Sequence, residues 1–342
     1  MPQGEYLQYG GQAIFEGVMM RSPRFFSVAC RAPNGEIVTQ TEALEKTWIG
    51  RQKWLKLPFL RGSLALLDAM ALGIKAMRFA SNVQLAPQYQ KPEEGKAVTD
   101  EPQIPSKVQD AAVGGAMIGG IVMGLLLFVF LPNWLAEAFG KLDPLQKNLL
   151  AGLIKIAFFL GYLAAIGQAA AIKDVFRYHG AEHKAINTLE AEQELSLENC
   201  RAQTRLHPRC GTSFAVIVLL VSLLVFTFVP RYPLGEHLFA AGFLNTLVNT
   251  LIRFSLEIVI LPIIAGISYE LLRLAGKFRN QGLVNLAFKP GIWTQFLTTR
   301  EPNEGQIEVA LIALKNVLNA EKQGNIVEPH EDALESAPIP LP

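Results

Sequence analysis

The chain has 342 residues, of which 50% are hydrophobic, and its formal net charge is only +1. The mean hydropathy is positive, +0.25. No basic stripe interleaved with aromatics is present, which argues against nucleic acid as a partner and leaves membrane lipid and membrane proteins as the partners expected. The apolar excess is concentrated in a few runs, the mark of an integral membrane protein. Three cysteines, Cys30, Cys200 and Cys210, are too few and too scattered for a disulfide framework and read as reduced thiols.

The first residues, Met1-Pro-Gln-Gly-Glu-Tyr-Leu7, lack the basic and apolar regions of a signal peptide, so insertion is expected to rely on internal spans. Residues 1–80 read as a cytosolic region. Apolar residues alternate over Phe26–Arg31 and again over Glu36–Thr41, and Pro33-Asn34-Gly35 between them is a turn signal. That pattern predicts a β-hairpin in a small sheet. From Leu60 to Ala80, leucines mix with Asp68, Lys75 and Arg78, which predicts an amphipathic or interfacial helix, not a span. Residues 81–106, with four prolines and many charges, read as a disordered linker.

Residues 107–275 read as a four-span membrane domain. Ala111–Leu131, Leu149–Ile172 and Thr212–Val229 each have about the length that crosses a bilayer. Lys155, in the second run, is expected to snorkel. Leu238–Leu274 is too long for one simple crossing and divides into a re-entrant or interfacial piece, Leu238–Leu251, and a fourth span, Phe254–Leu272. Ten Lys or Arg lie between Arg21 and Arg78, ahead of the first span, and Lys173, Arg177, Lys184, Arg201, Arg205 and Arg209 lie between the second and third. The opposite loops carry only Lys141, Lys147 and Arg231, so both termini and the 173–211 loop are expected in the cytosol of a bacterial inner or thylakoid-type membrane. Residues 276–320 form a cytosolic C-terminal region with an amphipathic helix over Ile307–Leu318, and 321–342 a disordered tail. The fold class is therefore mainly α: a polytopic membrane protein of about four transmembrane helices plus a small cytosolic α+β region.

Chemistry-bearing residues gather at one membrane face. His179-Gly-Ala-Glu182-His183 follows the second span, and on a helix His179 and His183 share a face. This is the inverted zincin spacing, with Glu182 beside the pair as a proton acceptor. His207 and Cys210 immediately precede the third span, and Tyr269 and Glu270 lie at the cytosolic end of the fourth. Two sites for a divalent metal, zinc by donor type, can be built from these residues. In the open one, His179, His183 and a carboxylate (Glu270, or Glu190 at one remove) hold the ion, and Glu182 is the catalytic base of a metal-dependent hydrolase. In the closed one, His179, His183, His207 and Cys210 fill all four positions of a structural site in a non-catalytic assembly or scaffold protein. Cys210 discriminates between them. The plainer readings are hydrogen-bonding histidines at a membrane interface, Glu182 and Lys184 on a solvated face, and an i, i+4 ion pair between Arg253 and Glu257. With so few ionisable residues in the spans, a transporter is the weakest of the functional classes.

Four segments, Tyr9-Gly-Gly-Gln-Ala-Ile-Phe-Glu-Gly-Val-Met-Met-Arg21, Tyr178-His-Gly-Ala-Glu-His-Lys-Ala-Ile-Asn187, His207-Pro-Arg-Cys-Gly-Thr-Ser213 and Ile267-Ser-Tyr-Glu-Leu-Leu272, together resemble the YqhQ-like family of bacterial and plastid membrane proteins. The likeness runs from about Tyr9 to Leu318. The family is described as of unknown function or as a predicted metal-dependent enzyme. The resemblance marks Glu16, His179, Glu182, His183, His207, Cys210 and Glu270 as members of its motif segments.

Overall fold

The computed structural model of the chain describes residues 9–44, 60–90, 106–239, 242–277 and 282–324. The first residues, most of the expected linker and the tail beyond 324 lie outside the described residues. The fold is mainly helical with one four-stranded antiparallel sheet, and the chain divides into two units.

The first unit is built on that sheet, a meander of β1 (Gly10–Ile14), β2 (Gly17–Arg21), β3 (Phe25–Arg31) and β4 (Ile37–Ala43). The expected hairpin is β3–β4, closed through Gly35 at φ 95°, where a side chain would be strained. Period-two alternation gives the sheet two apolar faces. Val18, Met20, Phe25 and Ala29 enter one core with α5 (Ala170–Glu190) and α10 (Glu304–Gln323). Met19, Phe26, Val28 and Cys30 enter the other with Leu72, Ala76, Ala80 and Val83 of α1 (Leu60–Leu85). Arg21–Asp68 at 2.8 Å and Lys75–Glu42 join α1 to strand residues, while Arg31–Glu308 at 2.7 Å joins α10 to β3 and Arg24–Glu321 at 2.6 Å joins it to the β2–β3 turn. A capping box of Asn303 and Gln306 starts α10, and Gly324 in the left-handed region ends it. α1 continues through Leu85 and is followed by a 3-10 turn at Pro87–Tyr89, so helix occupies the first part of the expected linker.

Helix α5 begins after a turn at Gly167, so the second apolar helix ends at Ile166 and not at Ile172. Gly180 of α5 packs against the 300–302 segment, where a Cβ would be driven into the Arg300 carbonyl oxygen. Gly180→Ala is therefore expected to cost about 1–3 kcal/mol by overpacking. A lowered melting temperature reads this out, and an unchanged one would show that the 300–302 segment yields.

Among the described residues, four helices are long and apolar enough to cross a membrane, and the second unit comprises most of them: Gly114–Ala138, Pro144–Ile166, Gly211–Phe228 and Phe243–Leu272. The first of these runs through α2 (Ser106–Leu125), a π-helical turn at Leu126–Phe130 and α3 (Leu131–Ala138). Pro132 lacks the N–H an α-helix needs there, and the π turn accommodates the missing bond. The others are α4 (Pro144–Ile166), α7 (Gly211–Phe228) and α8 (Phe243–Lys277), while α6 (Leu197–Ala202) and α9 (Gly282–Thr298) belong to the first unit.

Two expectations are corrected here. Leu238–Leu251 is not a separate re-entrant piece: α8 runs unbroken from Phe243, because nothing before Pro262 interrupts its hydrogen bonding. At 30 residues its apolar stretch is about 45 Å long, more than a bilayer core needs, and tilt absorbs such an excess. Lys155 does not snorkel. It is 7% exposed and pairs inside the bundle with Glu257 of α8. Glu257 also accepts from Asn133 Nδ2 at 3.0 Å and lies 3.5 Å from Arg253 Nε, the expected i, i+4 partner. Arg253 donates to the carbonyls of Phe226, Val229 and Pro230, which serves the unpaired carbonyl end of α7. A second buried group joins Glu137 to Arg231 at 2.8 Å, Lys147 at 3.1 Å and the Tyr232 hydroxyl at 2.8 Å.

Candidate metal centre

Three side chains from two segments of the first unit form the centre. His179 and His183 stand one turn apart on α5, and Cys210 ends the loop that leads into α7. Their ligand atoms all lie within 4.8 Å of one another. The two imidazole rings meet edge on, with centroids 4.4 Å apart, and His179 Nε2 is 3.1 Å from Cys210 Sγ.

Main-chain carbonyls fix both rings. His179 Nδ1 donates to Thr298 O at 2.8 Å, and His183 Nδ1 donates to Arg205 O at 2.6 Å. A carbonyl can only accept, so Nδ1 carries the proton in each ring and Nε2 keeps its lone pair. Burial holds His183 below the ordinary imidazole range, and the hydrogen bond with Cys210 opposes this. The Cys210 sulfur in turn accepts from the Thr212 amide at 3.5 Å and lies 3.2 Å from the Thr212 hydroxyl, at the N-terminal end of α7. The thiolate is the form in which a cysteine ligates metals or attacks as a nucleophile.

The loop carrying Cys210 is pegged to α5. His183, Lys184 and Asn187 face it, and Lys184 Nζ donates to Arg201 O at 2.9 Å and Gln203 O at 2.8 Å. Asn187 Nδ2 reaches Thr204 O at 2.7 Å and Leu206 O at 3.1 Å. Gln295, fully buried, clamps His207 from the other side. It accepts from His207 N at 2.8 Å and donates to His207 O at 2.7 Å and to Ser213 Oγ at 3.0 Å.

Glu182 is 5% exposed and Lys184 3% exposed, so the solvated-face reading of this pair is overturned: both turn into the unit. Burial pushes the Glu182 carboxyl up, while His179, His207, the Gly11 amide and Arg209 pull it back. Its Oε2 is 3.5 Å from His183 Nε2. Gly11 comes this close because it has no side chain: a Cβ there would meet Glu182 Cγ at 2.6 Å.

The remaining sequence candidates take other places. The His207 ring centroid is 5.6 Å from that of His183, but its Nε2 meets Glu190 Oε1 at 3.1 Å, and burial holds it below the ordinary imidazole range. Glu190 also pairs with Arg209. Glu270 lines the same cleft without joining the ligand group. Glu16, in the β1–β2 turn at φ 51°, accepts from the Tyr178 hydroxyl at 3.2 Å. Gln295, Thr298 and Arg205 were not candidates. The last two act through main-chain carbonyls, which any residue supplies, so no residue type signals them.

A cleft of about 1110 Å³ opens beside the centre, lined by His179, Glu182, His183, His207 and Cys210 together with β1, β2 and α1. A nitrogen–sulfur donor set, half-buried at His179 and buried at His183 and Cys210, offers donor types that a divalent ion would take, beside a carboxylate and an open cleft.

The family model described as "Protein of unknown function (DUF1385)" matches residues 57–320. The chain is similar to "Uncharacterized protein YqhQ" of Bacillus subtilis (strain 168), with 32% identity over 320 residues, 92% of this chain and 93% of that protein. No solved structure matches.

Proposed function

We propose, for a chain that belongs to the DUF1385 family of YqhQ-like proteins of unknown function, that it is a membrane protein carrying one divalent metal ion, zinc by donor type, and acting as a hydrolase. His179, His183 and Cys210 hold the ion on the cytosolic side, where the basic residues of the 173–211 loop also lie. The observation that carries this reading is the fixing of both rings by carbonyls at Nδ1, which turns both Nε2 lone pairs toward one sulfur. Ligating histidines are held by such outer hydrogen bonds. An ion there supplies Lewis acidity toward water or toward a carbonyl or phosphoryl oxygen. Glu182, held by the Gly11 amide, takes up or returns a proton at its Oε2. His207 stays with Glu190, and three protein donors leave a position for substrate.

A second reading is the closed site of a scaffold protein, in which His207 turns from Glu190 to become the fourth ligand. The 5.6 Å between the His183 and His207 ring centroids supports it. Full-length protein purified in detergent is expected to hold about one zinc per chain, as a single three-donor centre implies. His207→Ala keeps that metal if the site is open and releases it if closed. Glu182→Gln keeps the metal and abolishes hydrolysis of an activated aryl ester. Fully folded wild type without metal after zinc-supplemented purification overturns both readings.

A further inference from the structure

Helix α1 presents two surfaces that meet. Ala65, Ala69 and Leu72 line the cleft beside the centre, opposite Met19 and Ile186. At about 100° per residue, Leu66, Met77, Met70 and Leu67 follow them around the helix. These four are 39%, 48%, 46% and 51% exposed. Apolar side chains thus continue from the cleft onto the outside of α1, bordered by exposed Arg78 and by Lys75, which pairs with Glu42. An apolar strip with a basic border is the face of a helix lying in a membrane interface.

The cleft also borders the ends of two apolar helices. Gly211, the first residue of α7, and Tyr269, Glu270 and Leu272, at the end of the apolar stretch of α8, line it. The chain leaving the cleft at Gly211 therefore continues into an apolar helix long enough to cross a bilayer. The small side chains of Ala65 and Ala69 leave width along α1 for a hydrocarbon chain.

We infer that the cleft takes a lipid-like amphiphile from the membrane, its polar head at His179, His183 and Cys210 and its apolar chain along Ala65, Ala69 and Leu72, leaving over Leu66 and Met70. The role of the head group rests on the metal-dependent reading above; the path of the chain stands on the surface of α1 alone.

The test uses the full chain in nanodiscs of phosphatidylcholine and phosphatidylglycerol, with a trace of phosphatidylglycerol carrying a diazirine in its acyl chain. After irradiation, labelled peptides are mapped by mass spectrometry and zinc per chain is measured on the same sample. Label is expected on residues 65–72 and at Met19. Ala69→Trp, at an exposed alanine, is expected to lose that label while keeping its zinc and melting temperature. Label confined to the apolar helices, or equal label in Ala69→Trp, overturns the inference and leaves the α1 face to a protein partner. Competition by soluble glycerol phosphate as strong as by the intact lipid also overturns it, in favour of a free headgroup compound. Label at α1 without zinc removes the metal reading alone, and zinc without label removes this inference alone.

Discussion

His183→Ala is expected to empty the centre, taking bound zinc from about one per chain to near none, since two remaining donors seldom hold the ion. The substitution removes one of the three proposed ligands and also strips the Arg205 carbonyl of its donor, the His183 ring being only 1% exposed. Leaving a buried acceptor unsatisfied costs about 1–3 kcal/mol on top of the lost metal energy. Because metal binding and folding are coupled, the variant melts below wild type, and chelator-treated wild type falls part of the way toward it. Acid acts in the same direction. Burial keeps His183 and His207 neutral in the fold, with values below the ordinary 6.5. The unfolded chain therefore binds more protons below that pH, and stability is lost as pH falls through the depressed folded values. Protons compete for the ligands over the same range, so zinc retention and melting temperature should fall together. A His183→Ala protein with wild-type zinc would end the assignment.

The second large effect lies in the apolar bundle. Glu257→Leu is expected to destabilise it by about 3–5 kcal/mol, because it leaves the Lys155 ammonium buried without its carboxylate. Asn133 Nδ2 would keep only its bond to Val129 O, while Arg253 would still hold its three carbonyls on the α7 end. Lys155→Met alone should cost less, since Glu257 retains Asn133 and Arg253 beside it. The double variant Lys155→Met, Glu257→Leu should recover much of the loss, as replacing both partners by apolar groups removes the unpaired charge. Thermal unfolding of the four detergent-solubilised proteins gives the coupling directly. Additive losses would show that the pair is not the staple of this bundle.

These two places also mark the limits of sequence pattern. The four apolar helices were legible because a run of about twenty residues with almost no charge is long enough to cross a bilayer as a helix. Period two in Phe26–Arg31 and Glu36–Thr41, with Pro33-Asn34-Gly35 between, was enough for the β3–β4 hairpin. The shared face of His179 and His183 followed from helical spacing alone. Lys155 went wrong because a lysine near the end of an apolar run has two stable solutions, snorkelling or pairing inward. The choice depends on Glu257, 102 positions away in sequence.

What the sequence by itself determined is thus local: which stretches are long apolar helices, which two form the β3–β4 hairpin, and which donors share a helix face, all consequences of period and run length. The tertiary structure decided the membership of the centre. Cys210 joins the two histidines because Lys184 and Asn187 peg its loop to α5 and Gln295 clamps it from the opposite side. His207, three residues away, is drawn to Glu190 instead. Which way a side chain turns is set by hydrogen bonds to distant main-chain atoms, and a carbonyl of Thr298 or Arg205 leaves no mark on residue type.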